Sequence, residues 1–185
     1  MRAPTTDADA IAASLEDPAA FVIVFDRHFD AIRGYLARRL GADAAADLTA
    51  ETFTRAFDAR KRYELTRPDA LPWLYGIASN VMRRYAREER RRLLAHAELA
   101  SEPSASVDAD PAAGDVAEAL ASLNPEEREV LFLYAWADLS YEDIALALGT
   151  PVGTVRSRLN RARARAAAAL ASLATDERIE ETVDG

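Results

Sequence analysis

Cysteine is absent from the 185 residues, which excludes a disulfide framework, a thiolate metal site and a cysteine nucleophile. Glycine (7) and proline (8) are scarce, and no glycine-rich phosphate loop is present. No apolar run approaches the roughly 20 residues that cross a bilayer. Met1 to Ala20 contains acids and lacks the apolar core of a signal peptide. Alternation of apolar and polar residues over a useful strand length is missing too. Basic residues are the minority: 23 Lys and Arg stand against 31 Asp and Glu, a net charge of −8. Taken as an average, that balance argues against a nucleic-acid partner. These absences together point to a cytoplasmic protein without membrane insertion.

What the chain does have is helix-forming material. Half of it is hydrophobic, and Ala, Leu, Arg and Glu dominate long stretches. The expected fold class is all-α, in two small helical domains. The charge is also segregated. Arg83 to Arg92 holds six Arg against Glu88 and Glu89, and Val152 to Arg165 holds five Arg and no acid. Local field decides whether a face meets phosphate, so two Arg-rich helices outweigh the overall sign.

Spacing divides the chain. Phe25, Phe29, Ile32, Leu36 and Leu40 form one helical stripe that Gly41 ends. Asp43 is placed to cap the next helix, which carries Leu48, Phe53, Ala56 and Phe57. Lys61 to Arg67 reads as a loop. Asp69 caps a third long helix, with Pro72 in its first turn and Trp73, Leu74, Ile77, Ala78, Val81, Met82 and Tyr85 on its apolar face. Trp73 is read as a core aromatic. The Ser-, Asp- and Pro-rich stretch that follows reads as an extended, mobile linker. The expected domains are 15–97 and 115–174, joined by an acidic linker at 98–114 and followed by a disordered acidic tail at 175–185. The second domain shows two helix starts, a cap, Pro and capping-box acid at Asn124 to Glu127 and a capping box at Ser140 to Asp143. Gly149 stops the latter helix. The last helix keeps Val155, Leu159, Ala162, Ala166, Leu170 and Leu173 on one stripe.

Ser140 to Arg165 therefore has helix–turn–helix form. At about 100° per residue, Ser157 and Asn160 fall opposite the buried Val155, with Thr154, Arg156 and Arg161 flanking them. A groove-reading helix needs such a set, because Arg forks onto guanine, Asn onto adenine, and flanking Arg holds phosphate.

The motifs themselves resemble a known family. LNPEEREV at 123–130, LSYEDIA at 139–145 and GTPVGTVRSRL at 149–159 are similar to conserved region 4 of extracytoplasmic-function (ECF) sigma factors. DLTAETF at 47–53 resembles their region 2, and PWLYGIASN at 72–80 resembles the promoter-melting helix that follows it. The resemblance implies a subunit that binds RNA polymerase core and directs it to promoters. Thr154, Arg156, Ser157, Arg158, Asn160 and Arg161 would read the duplex minus-35 element. Asn80, Arg83, Arg84, Arg87 and Arg67 would engage the single-stranded minus-10 element, with Asn80 and the 61–67 loop around a flipped base. Asp47, Leu48, Glu51, Thr52 and Arg55 would dock on the clamp helices of the polymerase large subunit, and region 4 on its flap. The acidic linker would thread toward the polymerase active site. An anti-sigma factor is implied as a further partner.

A rival reading is a helix–turn–helix regulator that binds duplex DNA without polymerase; the first block, with its 47–53 and 72–80 segments, weighs against it. An enzyme is not expected. His28 and His96 lie apart, His28 is read as a surface residue, and no nucleophile motif is present. Asp47 and Glu51 share a helix face, but no His or third carboxylate stands at a spacing that would complete a metal site. No cofactor is called for.

Overall fold

The computed structural model describes residues 6–97 and 111–183, with side chains described over 6–93 and 116–172. Among the described residues there are eight α-helices and no strand. They are α1 (Asp7–Glu16), α2 (Val22–Leu40), α3 (Ala42–Ala59), α4 (Leu71–Ala97), α5 (Pro111–Ala121), α6 (Pro125–Ala135), α7 (Tyr141–Leu148) and α8 (Val152–Val183). The all-α expectation holds.

The first unit is a bundle of α2, α3 and α4 with α1 laid against it. Val24, Ile32, Leu36, Ala56, Leu74 and Ala78 are fully enclosed. Phe25 and Phe29 meet Phe53 with ring centroids 4.8 and 6.4 Å away. Gly41 ends α2 at φ +83°, a conformation glycine takes without Cβ strain. Asp43 does not cap α3. It sits in the first turn, where its charge still favours the helix dipole. Asp69 does accept the Leu71 amide at 2.8 Å. Trp73 packs against the core, as its spacing implies.

Helix α1 was not expected, since the domain was read as beginning at residue 15. Thr6 and Asp9 form its capping box. Ala10 and Ile11 are fully buried, so the helix is part of the bundle.

In the second unit α5, α6 and α7 gather around the first half of α8. Asn124 accepts the Glu127 amide at 2.8 Å and Ser140 accepts the Asp143 amide at 3.1 Å, which fixes both helix starts. Gly149 turns the chain in the left-handed region at φ +60°. Three differences from the sequence reading appear. Residues 111–114, read as linker, form the first turn of α5, with Pro111 at its first position. The buried stripe of α8 stops at Ala162, and Leu170 is exposed, because α5–α7 cover only the first turns. The tail, read as disordered, is helical to Val183. The remainder of the linker lies outside the described residues.

The two units touch. Helix α7 lies on α4, and a Cβ on Gly76 would stand 2.4 Å from the Ala147 carbonyl oxygen. Beside this contact the Glu129 carboxylate accepts from the Tyr35 hydroxyl and from Arg39, both at 2.8 Å, while the Arg39 guanidinium lies 4.6 Å above the Phe132 ring. Burial and the Glu129 charge push the Tyr35 hydroxyl well above its ordinary range, so it stays a donor.

Candidate nucleic-acid interface

The helix–turn–helix delivers the first half of α8 as a solvent-facing surface. Val155, Leu159 and Ala162 are buried, which turns Arg156, Ser157 and Asn160 outward. Thr154 is half-buried beside them. Arg161 is held from beneath. The Glu127 carboxylate, only 1% exposed, accepts the Arg161 Nε at 3.2 Å and an Arg165 Nη at 2.9 Å. Anchoring Nε leaves the terminal nitrogens of Arg161 on a side chain 56% exposed. A guanidinium so fixed can meet a guanine edge with little further loss of freedom. The sequence reading missed this role of Glu127, because the capping-box pattern assigned its carboxylate to the Asn124 amide. Arg158, placed in the reading set, turns toward α6 and pairs with Glu126. Arg163 instead stacks 4.7 Å over the Tyr134 ring.

On α4 the exposed Asn80 is joined by two arginines. Arg83 donates to the Asn80 side-chain oxygen at 2.8 Å, and Asn80, Arg83 and Arg87 line a shallow concavity of about 440 Å³. With its oxygen engaged, the Asn80 amide presents its NH2 as a donor. Arg84 does not join them. It pairs with Glu88 at 2.9 Å and approaches Glu51 at 3.8 Å, so it belongs to the α3 side. Arg67 sits on the exposed 64–69 stretch of the 63–70 loop, 2.8 Å from Glu64.

The third surface is the outer face of α3. Asp47 is exposed, and Glu51 and Arg55 are partly exposed and paired at 2.7 Å. Thr52, expected on this face, is buried, and so is Leu48, whose place beside Phe53 and Ala56 on the apolar spacing also allows a core position. Thr52 donates its hydroxyl to the Leu48 carbonyl at 2.7 Å. Both point into the α2–α4 core and support the face from below, because an apolar stripe at helical spacing is claimed first by the bundle.

His28, read as a surface residue, is also turned inward. Its Nε2 lies 2.6 Å from the Asp7 carboxylate, which takes Arg27 at 2.8 Å on its other oxygen. Asp7, His28 and Asp69 bring their ligand atoms within 4.8 Å of one another. Asp7 is already engaged by Arg27, His28 and the Ala70 amide, and the Arg27 guanidinium repels a cation there. The set is an ion-pair node.

Two family models fall in order along the chain. "Sigma-70 region 2" matches residues 24–92 and "Sigma-70, region 4" matches residues 113–165. "ECF RNA polymerase sigma factor SigC" of Mycobacterium tuberculosis is 38% identical over 126 residues, covering 65% of this chain and 66% of that protein. "RNA polymerase sigma factor CarQ" of Myxococcus xanthus is 34% identical over 149 residues, 77% of this chain and 84% of CarQ. Among solved structures, the sigma factor RpoE in complex with the anti-sigma factor NepR from Bartonella quintana is similar at TM-score 0.62 and 26% identity, covering 81% of this chain and 96% of RpoE. With both regions matched in sequence and fold, the chain belongs to the ECF sigma factors of the sigma-70 family.

Proposed function

We propose that this chain binds RNA polymerase core and selects promoters, with the face of α8 reading the minus-35 duplex and α4 with the 63–70 loop holding the single-stranded minus-10 element. The observation that carries this is the acid-free first half of α8, where Arg156, Asn160 and the Glu127-anchored Arg161 face outward. Arg156, Asn160 and Arg161 read bases, Thr154 and Ser157 line the approach, and Arg158 stabilises the helix against α6. Asn80 donates to a flipped base while Arg83 and Arg87 hold phosphate. Asp47, Glu51 and Arg55, joined by Arg84, form the polymerase surface. The chain itself makes or breaks no covalent bond; polymerase does so, in the cytoplasm. The region 2 unit takes in 15–97 and also α1, and the region 4 unit takes in 115–174 with the start of α5.

The regulator reading that dispenses with polymerase leaves the region 2 match without a purpose. RpoE was solved with the anti-sigma factor NepR, and a partner of that kind for this chain is part of the proposal. Recovery of such a protein in a pull-down tests it. In-vitro transcription with purified core polymerase tests the main reading. Wild-type protein gives template-specific transcripts, and Arg161→Ala removes them. Equal transcription from the same start sites with and without the protein would overturn it.

A further inference from the structure

Helix α1 lies ahead of the stretch that the region 2 model matches, residues 24–92, yet its first residue reaches the loop that precedes the melting helix. The Asp7 amide donates to the Pro68 carbonyl at 2.9 Å, and the Asp7 carboxylate accepts the Ala70 amide at 2.8 Å. One residue thus brackets the loop exit from both sides. Asp7 is itself fixed by Arg27 at 2.8 Å and His28 at 2.6 Å, both on α2, and its side chain is 6% exposed. At the loop entrance, the Tyr63 hydroxyl lies 2.8 Å from the Arg67 carbonyl and 3.0 Å from that of Asp69, with its ring against Trp73. Both ends are pinned, while Leu65, Thr66 and Arg67 form an exposed tip. A loop ordered beforehand loses less freedom on meeting DNA, and it holds its side chains in one register against the bases.

We infer that Asp7 is a positioning residue for minus-10 recognition: through the 63–70 loop it sets how Leu65, Thr66 and Arg67 meet the single strand. This rests on the reading of that loop as a minus-10 contact. A purely structural anchor would lower stability without altering the order of preferred bases.

The experiment uses full-length protein assembled with core polymerase on promoters that share one minus-35 element and carry each minus-10 base in turn. Stable open complexes are counted at a temperature where every variant is folded. The spread between best and worst base narrows by about tenfold in Asp7→Asn, the size of one lost base discrimination, while affinity for core polymerase stays within about twofold. His28→Leu keeps Asp7 and removes one of its donors, and it gives a smaller narrowing. Unchanged base preference in both variants overturns the inference. If Asp7→Asn does not fold, His28→Leu decides together with amide exchange at Ala70: faster exchange with narrowed preference supports positioning, and wild-type values of either one overturn it. The double variant Leu65→Ala, Arg67→Ala separates the two levels. If this tip variant leaves base preference intact, the minus-10 reading of the loop fails; if it alters preference while Asp7→Asn does not, only the role of Asp7 fails.

Discussion

Asp7 and Glu127 are acids enclosed among cations, and each has a consequence that a bulk experiment can read. Burial by itself would raise the Asp7 carboxyl, but hydrogen bonds from His28, the Ala70 amide and Arg27 outweigh it and hold the group well below the usual carboxylate range. A depressed value in the folded state gives stabilisation that is complete above the unfolded value near 3.8 and is lost as pH falls below it. Asp7→Asn should therefore unfold at lower urea than wild type near pH 7, by about 3 kcal/mol for a broken buried pair. The gap should begin to narrow as the pH falls below about 4 and keep narrowing past about pH 2, because the folded-state value lies well below the unfolded one; a constant gap would show that the Asp7 charge contributes nothing. Glu127→Gln removes the charge beneath Arg161 and Arg165. It should lower stability by about 1–3 kcal/mol in urea unfolding. It should also steepen the salt dependence of minus-35 duplex binding by about one unit of slope while blurring discrimination between sequences. An unchanged slope would mean that neither freed guanidinium reaches a phosphate.

Among the elements, α7 depends most on its ends. It has eight residues, too few to be stable alone. Ser140 caps its start and Gly149 its finish. Ser140→Ala should cost about 1 kcal/mol in urea unfolding, and no measurable change would mean that packing on α4 and α8 alone fixes the helix. Its caps were legible from the sequence because a cap needs only three or four neighbouring residues. Helix α1 was not, since its apolar face is mostly alanine and Ile11 is its one large buried residue, so no stripe of large apolar residues follows the Thr6 cap. The length of α8 was misread for the opposite reason: an acidic composition suggested disorder, although Glu, Arg and Ala favour helix.

For the whole molecule, the packing of α7 on α4 sets a constraint. Arg83 of α4 and Arg158 of α8 line one cavity, whereas elements at positions 35 and 10 would lie about 25 base pairs apart, roughly 85 Å at 3.4 Å per pair, so the proposed reading requires the two units to part. Gly76 makes the contact close. Gly76→Ala would ordinarily steady an isolated helix by about 0.5–1 kcal/mol. Here the added Cβ meets the Ala147 carbonyl, so the variant should scatter X-rays as a larger particle and lower the melting temperature. A stabilised variant of unchanged size would show that the units do not pack this way in solution.

The helical class, the starts of α6 and α7, the turn at Gly149 and the outward set on α8 are legible along the chain, because periodicity and capping act within a few residues. Packing between distant segments set the rest. It buried Leu48 and Thr52, turned Arg84 toward Glu51, set Arg161 on Glu127, and joined Asp7 to Ala70 and Glu129 to Arg39. Those pairings span tens of residues, and a charge carries no mark in the sequence of which distant partner will neutralise it once water is excluded.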